Sequence, residues 1–216
     1  MKGEARTKRR HDPDLTKSLI LDAAKKEFAE KGFDGARIDQ IAATANVNKQ
    51  LIYYYFDNKD TLFTHVLQAA YQDIRTKEAA LELDHLPARD AVLELMDFTW
   101  HYYLENPEFI QLLNSENQLK ARHLKEVDTI VPINNSWLSI TQRILERGQQ
   151  DGTIRPGIDA MQLNITMSAL GFFYLINQST LSIIYQQDLK RPEALATRRK
   201  VMRETIACWL APGLLP

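Results

Sequence analysis

The fold is decided by residues 38–60, which read IDQIAATANVNKQLIYYYFDNKD. Ile38 and Ile41 recur at the spacing of one face of an α-helix. Asn46 tolerates the left-handed conformation that a tight turn requires, and Asn48 is a favoured N-cap for a following helix. Two short helices joined by so short a turn form a helix-turn-helix, and this stretch therefore predicts that arrangement.

The second of these helices has two different faces. At about 100° per residue, Lys49, Gln50, Tyr53 and Tyr54 share one arc, and the opposite arc is largely apolar. Gln can read adenine, Lys can reach guanine or phosphate, and Tyr hydroxyls can hold phosphates, so this face favours contact with a DNA groove. A second interpretation stays open, in which the tyrosines at 53–55 pack a small core.

The next helix begins with a second polar feature. Asn58 is a suitable N-cap, and the free backbone N–H groups that follow it, together with Lys59, predict an anion site. A DNA phosphate fits such a site.

These features belong to a longer ordered pattern. Its members are Ile20-Leu21-Asp22-Ala23-Ala24, Phe28, Gly32-Phe33, Ile38, Ile41-Ala42, Ala45, Val47, Ile52-Tyr53, Tyr55-Phe56 and Lys59-Asp60-Thr61-Leu62-Phe63. The pattern resembles the DNA-binding domain of the TetR family of transcriptional regulators. That resemblance implies an all-helical homodimer whose subunits each have a three-helix DNA-binding head and a larger ligand-binding body.

The resemblance also implies DNA contacts residue by residue. The matching positions are Arg37, Lys49, Gln50, Leu51, Tyr53, Tyr54 and Lys59. Four positions depart from the family pattern: Ala36 replaces a usual Thr cap, Asn46 a usual Gly, and Gln50-Leu51 a frequent Gly-Thr pair. Gln50 is therefore expected to give this protein its own base preference.

Composition limits the function. The chain has 216 residues and a net charge of −1, which excludes a globally basic nucleic-acid coat. Cys208 is the only cysteine, so an internal disulfide and a multi-cysteine metal site are excluded, and a reducing cytoplasm is expected. The basic start lacks the apolar run of an export signal.

The periodicity is helical almost throughout, and no segment alternates as a strand does. Helices are predicted at about 16–31, 38–45, 49–55, 59–80, 88–105, 108–117, 120–148 with an interruption, 159–185 with a break near Asn177, and 192–210. We divide the chain into a basic arm (1–15), a helix-turn-helix head (16–60) and an effector-binding and dimerisation body (61–216). The basic residues at 2–10 have two compatible interpretations, a disordered tail or an arm that orders along DNA.

Residues 160–187 contain no charged side chain, and the run is long enough to span a bilayer. Its several Asn and Gln residues are costly in lipid and tolerated at a protein seam, so we expect a helix buried on two sides and no membrane partner. Apolar stripes on this helix and on the last one predict an isologous dimer interface. The candidates are Ile165, Phe172, Ile176, Met202, Ile206 and Trp209.

Aromatic residues are frequent in the body, and for each of them core packing is the simpler interpretation. Taken together with nearby amides, they match an apolar pocket with a few polar anchors. The ligand-site candidates are Tyr103, Phe109, Asn114, Asn117, Trp137 and Phe173.

The sequence therefore predicts a ligand-responsive repressor that binds a near-palindromic operator as a homodimer and is released by a small-molecule effector. Two-fold symmetry would place the two recognition helices roughly 34–36 Å apart. An all-α enzyme is a rival, but no catalytic set, Gly-rich phosphate loop or metal-ligand spacing is present, so no catalytic residue, cofactor or metal is expected. A protein-binding scaffold is the second rival.

Overall fold

The computed structural model describes residues 12–213, and every regular element in that range is helical. The elements are α1 (Pro13–Gly35), α2 (Ile38–Ala45), α3 (Lys49–Phe56), α4 (Lys59–Ala79), α5 (Ala88–Glu105), α6 (Pro107–Gln118), a 3-10 turn (Leu124–Glu126), α7 (Ile130–Gln150), α8 (Ala160–Ile176), α9 (Gln178–Ile184) and α10 (Pro192–Leu210). The all-α prediction is confirmed, and the expected break near Asn177 separates α8 from α9. The basic residues at 2–10 lie outside the described residues.

Local turn chemistry shapes the first three helices, and the roles of Asn46 and Asn48 are as predicted. Gly32 has φ +68°, which breaks the straight part of α1, and Phe33 then turns back into the core. Asn46 ends α2 in the left-handed conformation with φ 54°. The Asn48 side chain accepts a hydrogen bond from the Leu51 N–H at 2.8 Å and caps α3. These turns fix the direction in which α3 leaves the core.

Two apolar clusters hold the molecule together. The first contains Ile20, Phe28, Ile52 and Phe63 and continues without a gap to Phe109 of α6. It therefore packs the helix-turn-helix against α4 and α6. The second cluster joins α5, α7, α8 and α10, where burial of large apolar side chains supplies most of the stabilisation.

Asp97 fixes the position of α10 on α5. Its carboxylate is 3% exposed and accepts hydrogen bonds from Arg199 Nε at 2.8 Å and Arg199 Nη2 at 2.9 Å. Arg203 Nη1 also donates to it. Because a buried carboxylate must stay paired, this contact determines which face of α10 remains open to solvent.

The uncharged run proposed for a buried helix is bent rather than straight. Within residues 12–213, no single helix has the length and hydropathy needed to cross a membrane. Only α8 and α9 taken together pass that test, and they meet at an angle of 69°.

Candidate nucleic-acid interface and ligand site

The α3 helix presents one face to solvent and one to the core. Tyr54 is 79% exposed and Tyr53 is 41% exposed, whereas Ile52 and Phe56 are buried. Gln50 is also exposed. Core packing therefore describes only Tyr55, which is partly buried against the first cluster. The other two tyrosines form an open aromatic and polar surface.

Lys49 stands on the same surface but is already paired. Its ammonium lies 2.9 Å from Asp39 Oδ1 on α2, and this hydrogen bond raises the pKa of Lys49 above its usual value. Leu51 is partly buried, so it offers less of its side chain to a partner than Gln50 does.

Arg37 is exposed at the start of α2, where its side chain makes no capping bond. Its backbone N–H donates instead to Glu27 Oε1 of α1 at 3.1 Å. Glu27 therefore pairs with one N–H group at the start of α2, where the side chain of the N-cap residue, Arg37, pairs with none.

Lys59 does not stand free beside the start of α4. Its ammonium donates to the Asp34 carbonyl at 3.3 Å and lies 4.9 Å from the centre of the Phe33 ring. The Asn58 side chain caps α4 as predicted, accepting from the Thr61 N–H at 2.8 Å. Lys59 therefore also braces the turn between α1 and α2.

Lys17 of α1 is a basic residue beside α3 that sequence reasoning missed. Its ammonium lies 5.4 Å from the centre of the Tyr55 ring, within the range of a cation–π contact. The spacing within α1 gives no sign of this, because the contact depends on how α3 packs across α1.

The start of α4 is tied to the body by a junction cluster, which we define as Asp60, Glu116, Arg122 and His123. Arg122 Nη2 donates to Asp60 Oδ1 at 2.9 Å, and His123 Nε2 lies 3.3 Å from the same oxygen. His123 is buried, and its ring packs against Phe33 and Phe63. The cluster links the N-terminal end of α4 to the segment after α6.

The predicted ligand residues do not converge on one pocket. Tyr103 and Phe109 are buried and stacked, with their ring centres 5.9 Å apart. Asn114 is partly buried, and Asn117 is exposed. Phe173 is 60% exposed on α8. Because Asn117 and Phe173 are both exposed, neither lines an interior ligand site.

Trp137 leads to a pair of buried ions that the sequence analysis did not identify. The guanidinium carbon of Arg75 lies 3.9 Å from the centre of the Trp137 ring, and Arg75 Nη1 donates to Glu78 Oε2 at 2.5 Å. Burial raises the pKa of Glu78 to about 7 although Arg75 opposes that shift. The sequence held one signal for this buried pair. Arg75 and Glu78 are three residues apart, and both continue the helical spacing of the apolar residues of α4.

The predicted interface residues divide into two groups. Ile165 is 53% exposed, and Phe172, Ile176 and Trp209 are partly buried. Met202 and Ile206 are 1% and 0% exposed because they pack in the second cluster of their own subunit. The prediction that Met202 and Ile206 lie in the dimer interface is therefore wrong.

Metal binding finds no support in the part of the chain that the structure describes. No group of three or more His, Cys, Asp or Glu side chains there could hold a metal ion.

An exposed second helix of a helix-turn-helix, carried on a larger helical body, defines a DNA-binding regulator. Residues 20–66 match the family model for bacterial regulatory proteins of the tetR family, and residues 89–206 match the tetracyclin repressor-like C-terminal domain. The chain therefore belongs to the TetR family of transcriptional regulators, which are DNA-binding proteins rather than enzymes.

Named relatives support this assignment. The chain is 35% identical over 188 residues to the HTH-type transcriptional repressor NicS of Pseudomonas putida, covering 87% of this chain and 89% of NicS. It is 42% identical over 102 residues to the HTH-type transcriptional repressor SCO4008 of Streptomyces coelicolor, covering 47% and 50% of the two chains. FadR of Bacillus subtilis, solved in complex with stearoyl-CoA, shares the fold with a TM-score of 0.66 at 20% identity, over 89% of this chain and 98% of FadR.

Proposed function

We propose that this protein is a ligand-responsive repressor that binds a near-palindromic operator as a homodimer and is released by a small-molecule effector. The observation that carries the proposal is the open face of α3, where Gln50, Tyr53 and Tyr54 are exposed while Ile52 and Phe56 anchor the helix. Such a face can enter a major groove without any rearrangement of the core.

The proposed DNA contacts divide into two kinds. Gln50 reads a base edge, because an amide can donate to and accept from adenine at once. Arg37, Lys49 and the tyrosine hydroxyls hold phosphates and set the register of α3 in the groove. Leu51 and Lys59 have a smaller share, since one is partly buried and the other is held by Asp34.

The proposed dimer uses an apolar face left open by α8 and α10. Ile165 and Phe173 of α8 are 53% and 60% exposed, and Val201 of α10 is 43% exposed. Ala169 lies between the two α8 residues at helical spacing and is also exposed. An exposed apolar stripe on adjacent helices favours pairing with the same stripe of a second copy about a two-fold axis.

Repression and effector control rest on different support. NicS and SCO4008 are both named repressors, and NicS aligns with most of this chain. The FadR neighbour holds stearoyl-CoA, so a body of this fold can take a ligand. The junction cluster offers a route by which a ligand in the body changes the position of α4 and hence of the head.

The test is selection of bound sites from genomic DNA by the purified protein, followed by mobility shift at several salt concentrations. A repressor of this kind selects a two-fold symmetric sequence and shows site-selective, salt-dependent binding. Binding to no DNA, or equal binding to every fragment, would overturn the proposal and favour a protein-binding scaffold.

A further inference from the structure

Three polar atoms lie buried between α4 and α7 without a hydrogen-bond partner among the described residues. They are Arg75 Nε, Glu78 Oε1 and Trp137 Nε1. Arg75 is 7% exposed and Glu78 is 1% exposed, so both side chains are more than nine-tenths buried. Unpaired polar groups in such surroundings cost free energy, and each needs an explanation.

These three residues are contiguous. Arg75 bonds Glu78 through Nη1 and lies on the face of the Trp137 ring, so the unpartnered atoms belong to one cluster rather than three separate defects. Three further aromatic groups lie within electrostatic range of Arg75, namely Tyr71 on α4 and Tyr102 and Tyr103 on α5, and burial raises the pKa of each. Flat side chains therefore dominate the surroundings of the cluster.

The pattern of unused atoms specifies a complementary occupant. Arg75 Nε and Trp137 Nε1 are donors, so they require an acceptor, and Glu78 Oε1 is an acceptor that requires a donor. One ligand carrying an acceptor beside a donor would satisfy all three. A planar ring would match the aromatic side chains around them.

The charges of Arg75 and Glu78 restrict the class of ligand further. When Glu78 is ionised, Arg75 and Glu78 neutralise each other, so an uncharged ligand leaves the charge balance of the cluster unchanged. An anion would have to displace Glu78 from Arg75 or add a buried negative charge, and a cation would face the guanidinium. Both alternatives are more costly than a neutral ligand.

Trp137 separates the cluster from a groove at the surface. A groove of about 320 Å³ lies between α7 and α8 and is lined by Val131, Trp137, Leu138 and Ile165, among others. Because Trp137 both lines this groove and covers Arg75, it stands between the groove and the cluster. Rotation of the indole would connect the two.

We propose that Arg75, Glu78 and Trp137 form a binding site for a small, uncharged, planar ring compound that carries a hydrogen-bond acceptor next to a donor, as an amide does. Only the consequence of binding rests on the proposed function, namely that a ligand in this site alters the affinity of the protein for DNA.

The test uses three ring compounds of nearly identical shape: benzamide, benzoate and benzamidine. Their binding to the full chain without DNA is measured at pH 7.5 by ligand-detected NMR and calorimetry. Benzamide is expected to bind at least tenfold more tightly than either charged analogue. Tighter binding of benzoate, or no binding of any of the three to the folded protein, would overturn the proposal.

Two variants locate the site. Trp137→Phe keeps an aromatic ring but removes the N–H, and it should weaken benzamide binding at least fivefold. The matched control is Trp209→Phe, because Trp209 also lies beside an arginine, Arg155, at 5.9 Å from the ring centre, but on α10. Equal binding by the Trp137→Phe variant and the wild-type protein would count against the site.

Removal of the Glu78 charge should reverse the order of ligand preference. Glu78→Gln leaves Arg75 without its counter-ion, so benzoate should become the preferred ligand, with a gain of at least fivefold over its wild-type affinity. An unchanged order of preference would overturn the assigned role of the ion pair. All these measurements omit DNA, so failure of the same preparation to bind an operator would reject the proposed function without touching this site.

Discussion

The imidazole of His123 lies against the carboxylate of Glu116, with Nδ1 and Oε2 2.7 Å apart and both side chains buried. The other oxygen of Glu116 accepts hydrogen bonds from the backbone N–H groups of His123 and Leu124, at 2.8 and 3.0 Å. One carboxylate therefore organises the segment after α6. That segment in turn holds Asp60 in the first turn of α4.

Substitution Glu116→Ala should lower the free energy of unfolding by about 2–4 kcal/mol, because two buried groups of His123 and the half-buried N–H of Leu124 lose their partner at once. Urea denaturation followed by circular dichroism measures the change. Asn117→Ala, at an exposed neighbouring position on the same helix, is the control and should cost less than about 0.5 kcal/mol. A loss at Glu116 as small as that of the control would contradict the role given to this carboxylate.

Substitution Gln50→Ala should relax base preference at one position in each half-site, by about 1–3 kcal/mol of discrimination, while nonspecific affinity stays nearly constant. Competition assays with every single-base variant of the selected operator measure this. Gln142→Ala provides the matched control, since Gln142 is exposed on α7 of the body. Uniform weakening on all sequences would indicate that Gln50 holds the backbone rather than a base.

Substitution Phe173→Glu should raise the dissociation constant of the proposed dimer at least about 100-fold, because it places a carboxylate from each copy at the proposed apolar interface. Analytical ultracentrifugation over a range of protein concentrations gives this constant. Leu15→Glu alters an apolar residue that is 59% exposed on α1 and should leave association unchanged. A Phe173→Glu protein that remains dimeric would place the interface elsewhere.

The free energy of unfolding should fall as the pH rises from about 4.5 to about 7, because Glu78 keeps its proton over that interval only in the folded state. The fall amounts to at most about 3 kcal/mol, since one pKa unit corresponds to about 1.4 kcal/mol. Denaturation of wild-type protein and Glu78→Gln across this range measures the difference between them, which removes the contribution of every other group. Parallel pH profiles would show that Glu78 does not titrate in this interval.

Features governed by neighbouring residues could be predicted from the sequence. The left-handed turn at Asn46, the caps at Asn48 and Asn58, and the break at Gly32 each depend on only a few adjacent residues. Helical periodicity placed Gln50 and Tyr54 on one arc of α3 but left open whether the tyrosines pack a core, and the structure shows both residues exposed.

Features that depend on packing between distant helices could not be predicted. Met202 and Ile206 would show the same apolar spacing in their own core and in an interface with a second copy. The position of α10 on α5 places both residues in the core of their own subunit. Arg75 and Glu78 look like an ordinary surface pair until α7 covers them with Trp137. Phe173 is as apolar as its buried neighbours on α8, yet its side of the helix is uncovered.

The ion pair between Lys49 and Asp39 has a consequence for how the molecule meets a polyanion. The Lys49 ammonium is already paired with Asp39, so it neutralises a DNA phosphate less fully and releases fewer of the counterions condensed on the DNA. A nucleic acid approaching this side gains less nonspecific attraction than a bare lysine would give. Fit and hydrogen bonding must then supply a larger fraction of the affinity, which penalises random sequences more than the correct one.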